Sequence, residues 1–119
     1  MVVLLSLDLA QAVLADDVPD FQETLQAAGQ GYAKAQFNLG LMYYNGQGVR
    51  QDYTQAVQWY RKAAEQGLAE AQYNLGLMYY HGRGIRQNHN LAKEWFGKAC
   101  QNGLQQGCEA YRHLDGAEF

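Results

Sequence analysis

The chain has 119 residues and a net charge of −3, with nine Lys and Arg against twelve Asp and Glu. Because the basic residues form no cluster, the sequence lacks the positive face that neutralises nucleic-acid phosphates, and we expect no nucleic-acid partner. Apolar residues make up 48% of the chain, which is enough to bury a core and excludes a disordered tail. Ser6 is the only serine, so catalysis by a serine nucleophile is nearly excluded as well.

Residues 1–15 read MVVLLSLDLAQAVLA and are too short to span a bilayer, which takes about 20 apolar residues. The segment resembles the apolar part of a secretory signal peptide, with the small residues Val13 and Ala15 at the cleavage site. No basic residue precedes the apolar run and Asp8 interrupts it, which would follow if the natural start lay upstream of Met1. The alternative is an N-terminal amphipathic helix that packs on the remaining domain, residues 16–119.

A 36-residue repeat fills most of that domain. Residues 35–44 read AQFNLGLMYY, residues 71–80 read AQYNLGLMYY, and aligning 35–70 with 71–106 gives 19 identities. One such unit cannot bury its own apolar face, so neighbouring units must stack into a solenoid. The predicted parts are a preceding half unit, full repeats at about 31–66 and 67–102, and a capping helix at about 103–114.

Each unit reads as a helix A followed by a helix B. The first helix A ends before Gly46, which is placed to take a left-handed conformation. Asp52 is a natural N-cap for the first helix B, and Asn88 takes the same position in the second unit. Pro19 suits the first turn of the opening helix. The helices are predicted at about 18–29, 33–44 and 53–66, in a second pair within 69–102, and at 105–114.

Glycine lies inside both A helices, at Gly40 and Gly76. Glycine costs about 1 kcal/mol relative to alanine in a helix interior. Its recurrence at the same register indicates a close approach between helices. We expect the side chain of Trp59 or Trp95 to lie against the backbone there.

Both units share the pattern A-x-x-x-L-G-x-M-Y-x-x-G-x-G-V/I, followed by A-x-x-W-Y/F-x-K-A and a glycine. This pattern resembles the Sel1-like repeat, and the resemblance covers residues 20–114. It implies an all-α fold, a right-handed αα solenoid related to tetratricopeptide arrays, with two full units and half-unit caps. It also implies a non-catalytic adaptor that needs no cofactor and binds a protein or peptide. Bacterial members are often exported, some in connection with host-cell contact, so we expect a periplasmic or secreted bacterial protein.

The two cysteines flank the last predicted joint. Cys100 falls in the last turn of the second helix B, and Cys108 near the start of the closing helix. Antiparallel helices joined by a short loop can bring such positions within bridging distance, about 5.5–6 Å between Cα atoms. The residues alone leave a disulfide, two reduced thiols and a metal pair open, although no four-ligand metal site is evident. The spacing is similar to that in cysteine-rich Sel1-like proteins, and this resemblance implies a disulfide.

No catalytic constellation is apparent. His81, His89 and His113 match no common ligand spacing, and we interpret them as solvated side chains. The glycine strings at 46–48 and 82–84 follow helices, whereas phosphate-binding loops follow strands. The alternative function is β-lactam binding or hydrolysis, which the resemblance to cysteine-rich relatives implies. Ser6 begins the string SLDL, which is not the S-x-x-K motif of that chemistry.

The A helices carry a second stripe beside their core-facing side, which we name the candidate surface. Spacing of three to four residues places its members on one face of each helix. In the related tetratricopeptide arrays this face lines the concave groove, and large amphipathic rings suit partner recognition. The alternative is that these side chains only pack the units together. The candidate surface comprises Lys34, Phe37, Leu41, Tyr44 and Asn45 in the first unit, and Glu70, Tyr73, Leu77, Tyr80 and His81 in the second.

The members nearest the groove edge are favoured for ligand contact, and they are Tyr44, Asn45, Tyr80 and His81. The inter-helix loops add arginines that can recognise a carboxylate or remain solvated. These arginines are Arg50, Arg83 and Arg86. Self-association is a further alternative, because two full repeats are few and exposed end helices invite stacking.

Overall fold

The computed structural model describes residues 20–117, which form six α-helices and no strand. The predicted signal segment and Pro19 lie outside the described residues. Within the described residues, no helix is long and apolar enough to cross a membrane. The helices are α1 (Phe21–Gly29), α2 (Ala33–Asn45), α3 (Tyr53–Glu65), α4 (Ala69–His81), α5 (His89–Gln101) and α6 (Gln105–Ala117).

The helices stack in chain order, and each one packs chiefly against the next. α2 with α3 and α4 with α5 are the two predicted A–B pairs, while α1 and α6 take the places of the half-unit caps. Leu39 and Leu75, at the same register in the two A helices, are fully buried. Small residues such as Ala63 line the facing B helices and let the pairs approach. The predicted all-α repeat fold is confirmed.

Both inter-helix loops use the stop and start signals read from the sequence. Gly46 and Gly82 end the A helices in the left-handed region, with φ of 68° and 70°, where other L-residues are rarely found. The side chains of Asp52 and Asn88 then cap α3 and α5. Each accepts a hydrogen bond from the backbone N–H three residues on, at 3.1 Å and 3.0 Å respectively.

The glycines inside the A helices mark close helix contacts, as predicted, but the predicted partner rings are wrong. A Cβ at Gly40 would lie 2.6 Å from ring carbons of Tyr60, and one at Gly76 would lie 2.6 Å from the ring of Phe96. Both rings are almost completely buried. The missing Cβ therefore makes room for the residue that follows each tryptophan.

The tryptophans themselves lie at the edge of the core. Trp59 and Trp95 are half-buried, and each has a lysine ammonium over its ring, Lys62 at 5.5 Å and Lys98 at 4.4 Å from the ring centre. One residue along a helix turns the side chain by about 100°. That rotation directs the following ring at the glycine and leaves each tryptophan beside the contact.

A buried glutamine connects helix B to helix A at each of the first two joints. Gln36 Nε2 donates to the carbonyl oxygen of Ala28 at 3.2 Å, and Gln72 Nε2 donates to that of Ala64 at 3.1 Å. Each glutamine also accepts a hydrogen bond from the end of the next helix B, from Gln66 Nε2 at 2.8 Å and from Asn102 Nδ2 at 2.9 Å. These bonds satisfy the buried amides, which would otherwise destabilise the joints.

At the third joint the same two positions hold Cys100 and Cys108, which form a disulfide with a Cα–Cα distance of 4.5 Å. The predicted bridge is confirmed. The distance is shorter than predicted because Gly107 lies beside the bridge: a Cβ there would be 2.8 Å from the Cβ of Ala99. Without that side chain α6 approaches α5 closely, and a covalent bond replaces the glutamine contact of the other joints.

Candidate functional site

The inner part of the candidate surface packs on the B helix of its own unit. The half-buried ring of Phe37 lies 5.9 Å from that of Tyr60, and Tyr73 lies 5.5 Å from Phe96, measured between ring centres. Phe37 and Tyr73 therefore support the core with one face. The other, exposed part of each ring belongs to the candidate surface.

In the first unit, Tyr44 is held from two sides. Its ring centre lies 5.0 Å from that of Tyr53, and its hydroxyl accepts a hydrogen bond from Nη1 of Arg83. The guanidinium of Arg83 also lies 5.9 Å from the ring centre of Tyr53. Arg83 comes from the second unit, so this loop arginine connects the two units across the candidate surface rather than remaining merely solvated.

In the second unit, two histidines flank Tyr80. The ring of His89 stacks on it at 4.7 Å with an interplanar angle of 14°. The ring of His81 meets its edge at 5.0 Å and 89°. Both histidines are solvent-exposed, as interpreted from the sequence. Their position on either side of one tyrosine was not predicted. Tyr80 therefore presents a ring of fixed orientation.

The remaining members divide into an apolar centre and a polar rim. Leu41 and Leu77 are partly buried and pack against the core. Lys34, Asn45 and Glu70 are exposed, and the ammonium of Lys34 lies 5.8 Å from the ring centre of its neighbour Phe37. The loop residues Arg50 and Arg86 are exposed as well.

A hollow of about 190 Å³ opens between α4 and α6, at the end of the candidate surface. Three of its lining residues belong to the predicted set, and they are Leu77, Tyr80 and His81. Four others were missed by the sequence analysis: Phe96, Ala110, His113 and Leu114. The hollow thus extends the predicted surface onto α5 and α6, and no carboxylate lines it.

The repeat register shows how two residues that line the hollow differ from their equivalents at the second joint. Between α3 and α4 the equivalent positions hold Tyr60 and Asn74, whose side chains are hydrogen-bonded. Burial raises the pKa of Tyr60 to about 12, although the bond with Asn74 opposes the shift. Thirty-six residues later the two positions hold Phe96 and Ala110. The third joint therefore lacks the hydroxyl and the carboxamide of the second, a difference that the aligned repeats already contained.

The described residues hold no cluster of metal-ligating side chains. Among residues 20–117 there is no group of three or more His, Cys, Asp and Glu side chains that could hold a metal ion. Asp115, on α6, is bound to Lys93 at 2.7 Å. Ser6, the only serine, lies outside the described part of the chain.

Comparison with known families finds the same two repeats that the helix pairs form. The Sel1 repeat model matches residues 33–68 and 69–104. The chain belongs to the Sel1 repeat family. Proteins with Sel1 repeats generally mediate protein–protein interactions, and the family is typically non-enzymatic. No curated protein matches the chain with significance.

Solved structures of bacterial Sel1 repeat proteins share the fold. A Sel1 repeat protein from Oxalobacter formigenes is 44% identical with a TM-score of 0.71, over 72% of this chain and 35% of that one. A protective antigen present in uropathogenic Escherichia coli strains is 49% identical with a TM-score of 0.69, over 71% and 18%. The cysteine-rich protein B of Helicobacter pylori is 31% identical with a TM-score of 0.72, over 75% and 67%. The chain thus spans about a third of the length of the Oxalobacter protein and less than a fifth of the length of the Escherichia coli antigen.

Proposed function

We propose that this Sel1 repeat chain is a non-catalytic module that binds an extended peptide or protein segment along the candidate surface. The hollow beside Leu77 and Tyr80 is the observation that carries the proposal, because ligand sites are concave, mostly apolar and bordered by a few polar groups. The polar rim of the candidate surface supplies charged groups of both signs, Lys34 and Glu70.

The fixed rings of the surface favour binding. Tyr44 is held by Tyr53 and Arg83, and Tyr80 by its two flanking histidines. A side chain that is ordered before binding loses little further entropy when a partner covers it. Tyrosines in such positions are frequent hot spots of interfaces.

Binding can be tested with a displayed library of random peptides selected on the immobilised, disulfide-intact chain. We expect Tyr44→Ala and Tyr80→Ala each to raise the Kd of the selected peptides at least tenfold, measured by fluorescence anisotropy, which corresponds to about 1.4 kcal/mol. Tyr111→Ala is the control, because Tyr111 is an exposed tyrosine that lies beside Gly97 of α5 and does not belong to the candidate surface. Unchanged binding in both folded variants would refute the proposal.

The module acts, in this proposal, as an exported bacterial adaptor in the periplasm or outside the cell, with a link to host-cell contact. The disulfide supports export, because disulfides persist in oxidising compartments. The predicted signal segment and the similarity to a protective antigen of a pathogen point the same way. Intact mass from the native cell tests this: a chain that starts at Asp16 and gains two hydrogens on reduction is expected. A chain that retains Met1 with free thiols would contradict export.

A further inference from the structure

We infer that the hollow between α4 and α6 is a specificity pocket for one phenylalanine side chain of the bound peptide. The inference rests on the proposed function and names the chemistry of the partner. It concerns the third helix joint, where the chain departs from its own repeat.

The size of the hollow suits one ring. Its volume is about 190 Å³, and an apolar cavity of about 150 Å³ is known to hold benzene. A phenyl ring in the hollow would lie beside the rings of Phe96 and Tyr80. Aromatic pairs of this kind add about 0.5–1.5 kcal/mol beyond the burial of their area.

The apolar lining of the hollow disfavours an inserted side chain that ends in a polar group. Three of the residues that line it, Phe96, Ala110 and Leu114, have no side-chain donor or acceptor. At the second joint the equivalent positions hold Tyr60 and Asn74, whose polar side chains pair with each other. A tyrosine from a partner would leave its hydroxyl unpaired here, and burying such a group destabilises the complex.

Two imidazoles border the apolar lining. His81 on α4 and His113 on α6 both line the hollow and are exposed. Each ring carries a donor or an acceptor that can bond the peptide backbone on either side of the inserted phenylalanine. The pocket thus combines an apolar interior with polar groups that fix the direction of the chain, as binding sites commonly do.

The test uses N-acetyl-phenylalaninamide and N-acetyl-tyrosinamide as probes, titrated into the disulfide-intact chain and followed by methyl NMR. We expect saturable shifts at the methyl groups of Ala110 and Leu77, with a Kd in the millimolar range. The tyrosine probe should bind at least fivefold more weakly, because its hydroxyl finds no partner. Absence of saturable shifts, or equal affinity for both probes, would overturn the inference.

Two exchanges between the joints provide matched variants. Phe96→Tyr with Ala110→Asn gives the third joint the pair found at the second, and it should abolish the shifts. Tyr60→Phe with Asn74→Ala makes the reverse exchange, and it should produce new shifts at Leu41. Each pair already exists in the folded chain at the equivalent joint, so both variants should fold. Circular dichroism and a mass measurement of the retained disulfide check the folding. Persistent binding in the first variant would refute the assignment.

Failure of the pocket assignment can be distinguished from failure of the proposed peptide-binding function. If displayed peptides bind in a manner that needs Tyr44 but the probes cause no shifts at Ala110, the pocket assignment fails and the peptide-binding surface stands. If the probes bind and no peptide is selected, the proposed function fails, and with it the assignment of the hollow as a peptide pocket.

Discussion

The disulfide at the third joint makes a prediction about how this short array is stabilised. Cys100 and Cys108 are separated by eight residues in sequence. Closing a loop of this size removes chain entropy from the unfolded state worth about 2.5 kcal/mol at 25 °C. We therefore expect Cys100→Ala with Cys108→Ala to lower the free energy of unfolding by about that amount, measured by urea unfolding with linear extrapolation.

A second variant tests whether the crosslink and the buried glutamines are alternative solutions for one joint. Cys100→Ala with Cys108→Gln gives the third joint the pair present at the first two, where the amide donates to the alanine carbonyl at 3.2 Å and 3.1 Å. The introduced amide should recover about 1 kcal/mol, the net value of one buried hydrogen bond. The reasoning is refuted if the double-alanine variant stays within about 0.5 kcal/mol of the oxidised wild type, where chain entropy requires about 2.5. A glutamine variant that recovers nothing would contradict the equivalence of the joints.

Three further predictions follow from the packing and the chemistry. Gly76→Ala should destabilise the fold by about 1–3 kcal/mol in urea, because its Cβ meets the ring of Phe96 at 2.6 Å, whereas Gly29→Ala has open space and should not. Above pH 10 the unfolded chain loses the Tyr60 proton while the folded chain keeps it until about pH 12. Stability should therefore fall by up to about 2.7 kcal/mol across that interval, relative to Tyr60→Phe. The purified chain should not hydrolyse nitrocefin, since its only serine precedes the repeats.

Each of these predictions has an outcome that contradicts it. A stabilised Gly76→Ala protein would mean that helix propensity outweighs the contact with the ring. Parallel pH profiles of wild type and Tyr60→Phe would mean that the phenol ionises equally easily in both states. Turnover of nitrocefin that survives purification to homogeneity would establish the alternative function.

The sequence alone predicted those features that depend on residues close together in the chain. The stop at Gly46 and the cap at Asp52 act within a few residues, so their structural roles could be read locally. The repeat then required the units to stack, because a single unit cannot bury its face. The cysteine bridge could be predicted for a related reason: Cys100 and Cys108 lie on either side of one short loop.

Features that depend on the orientation of side chains across helices were less accessible. The contact at Gly40 was predicted, but a rotation of one residue decides between Trp59 and Tyr60, and the spacing alone does not determine it. The bond from Arg83 to Tyr44 joins residues 39 positions apart. The hollow is lined by residues of α4, α5 and α6, and this arrangement is apparent only once the helices are packed.

Function and stability oppose each other at the third joint if the hollow is a site. The pair at the second joint, Tyr60 and Asn74, is joined by a hydrogen bond, and the third joint lacks that bond. Restoring it with Phe96→Tyr and Ala110→Asn should raise the free energy of unfolding by about 1 kcal/mol while abolishing probe binding. The covalent bond between Cys100 and Cys108 holds α6 in place without that contribution. A variant that loses both probe binding and stability would show instead that Phe96 and Ala110 are optimised for packing.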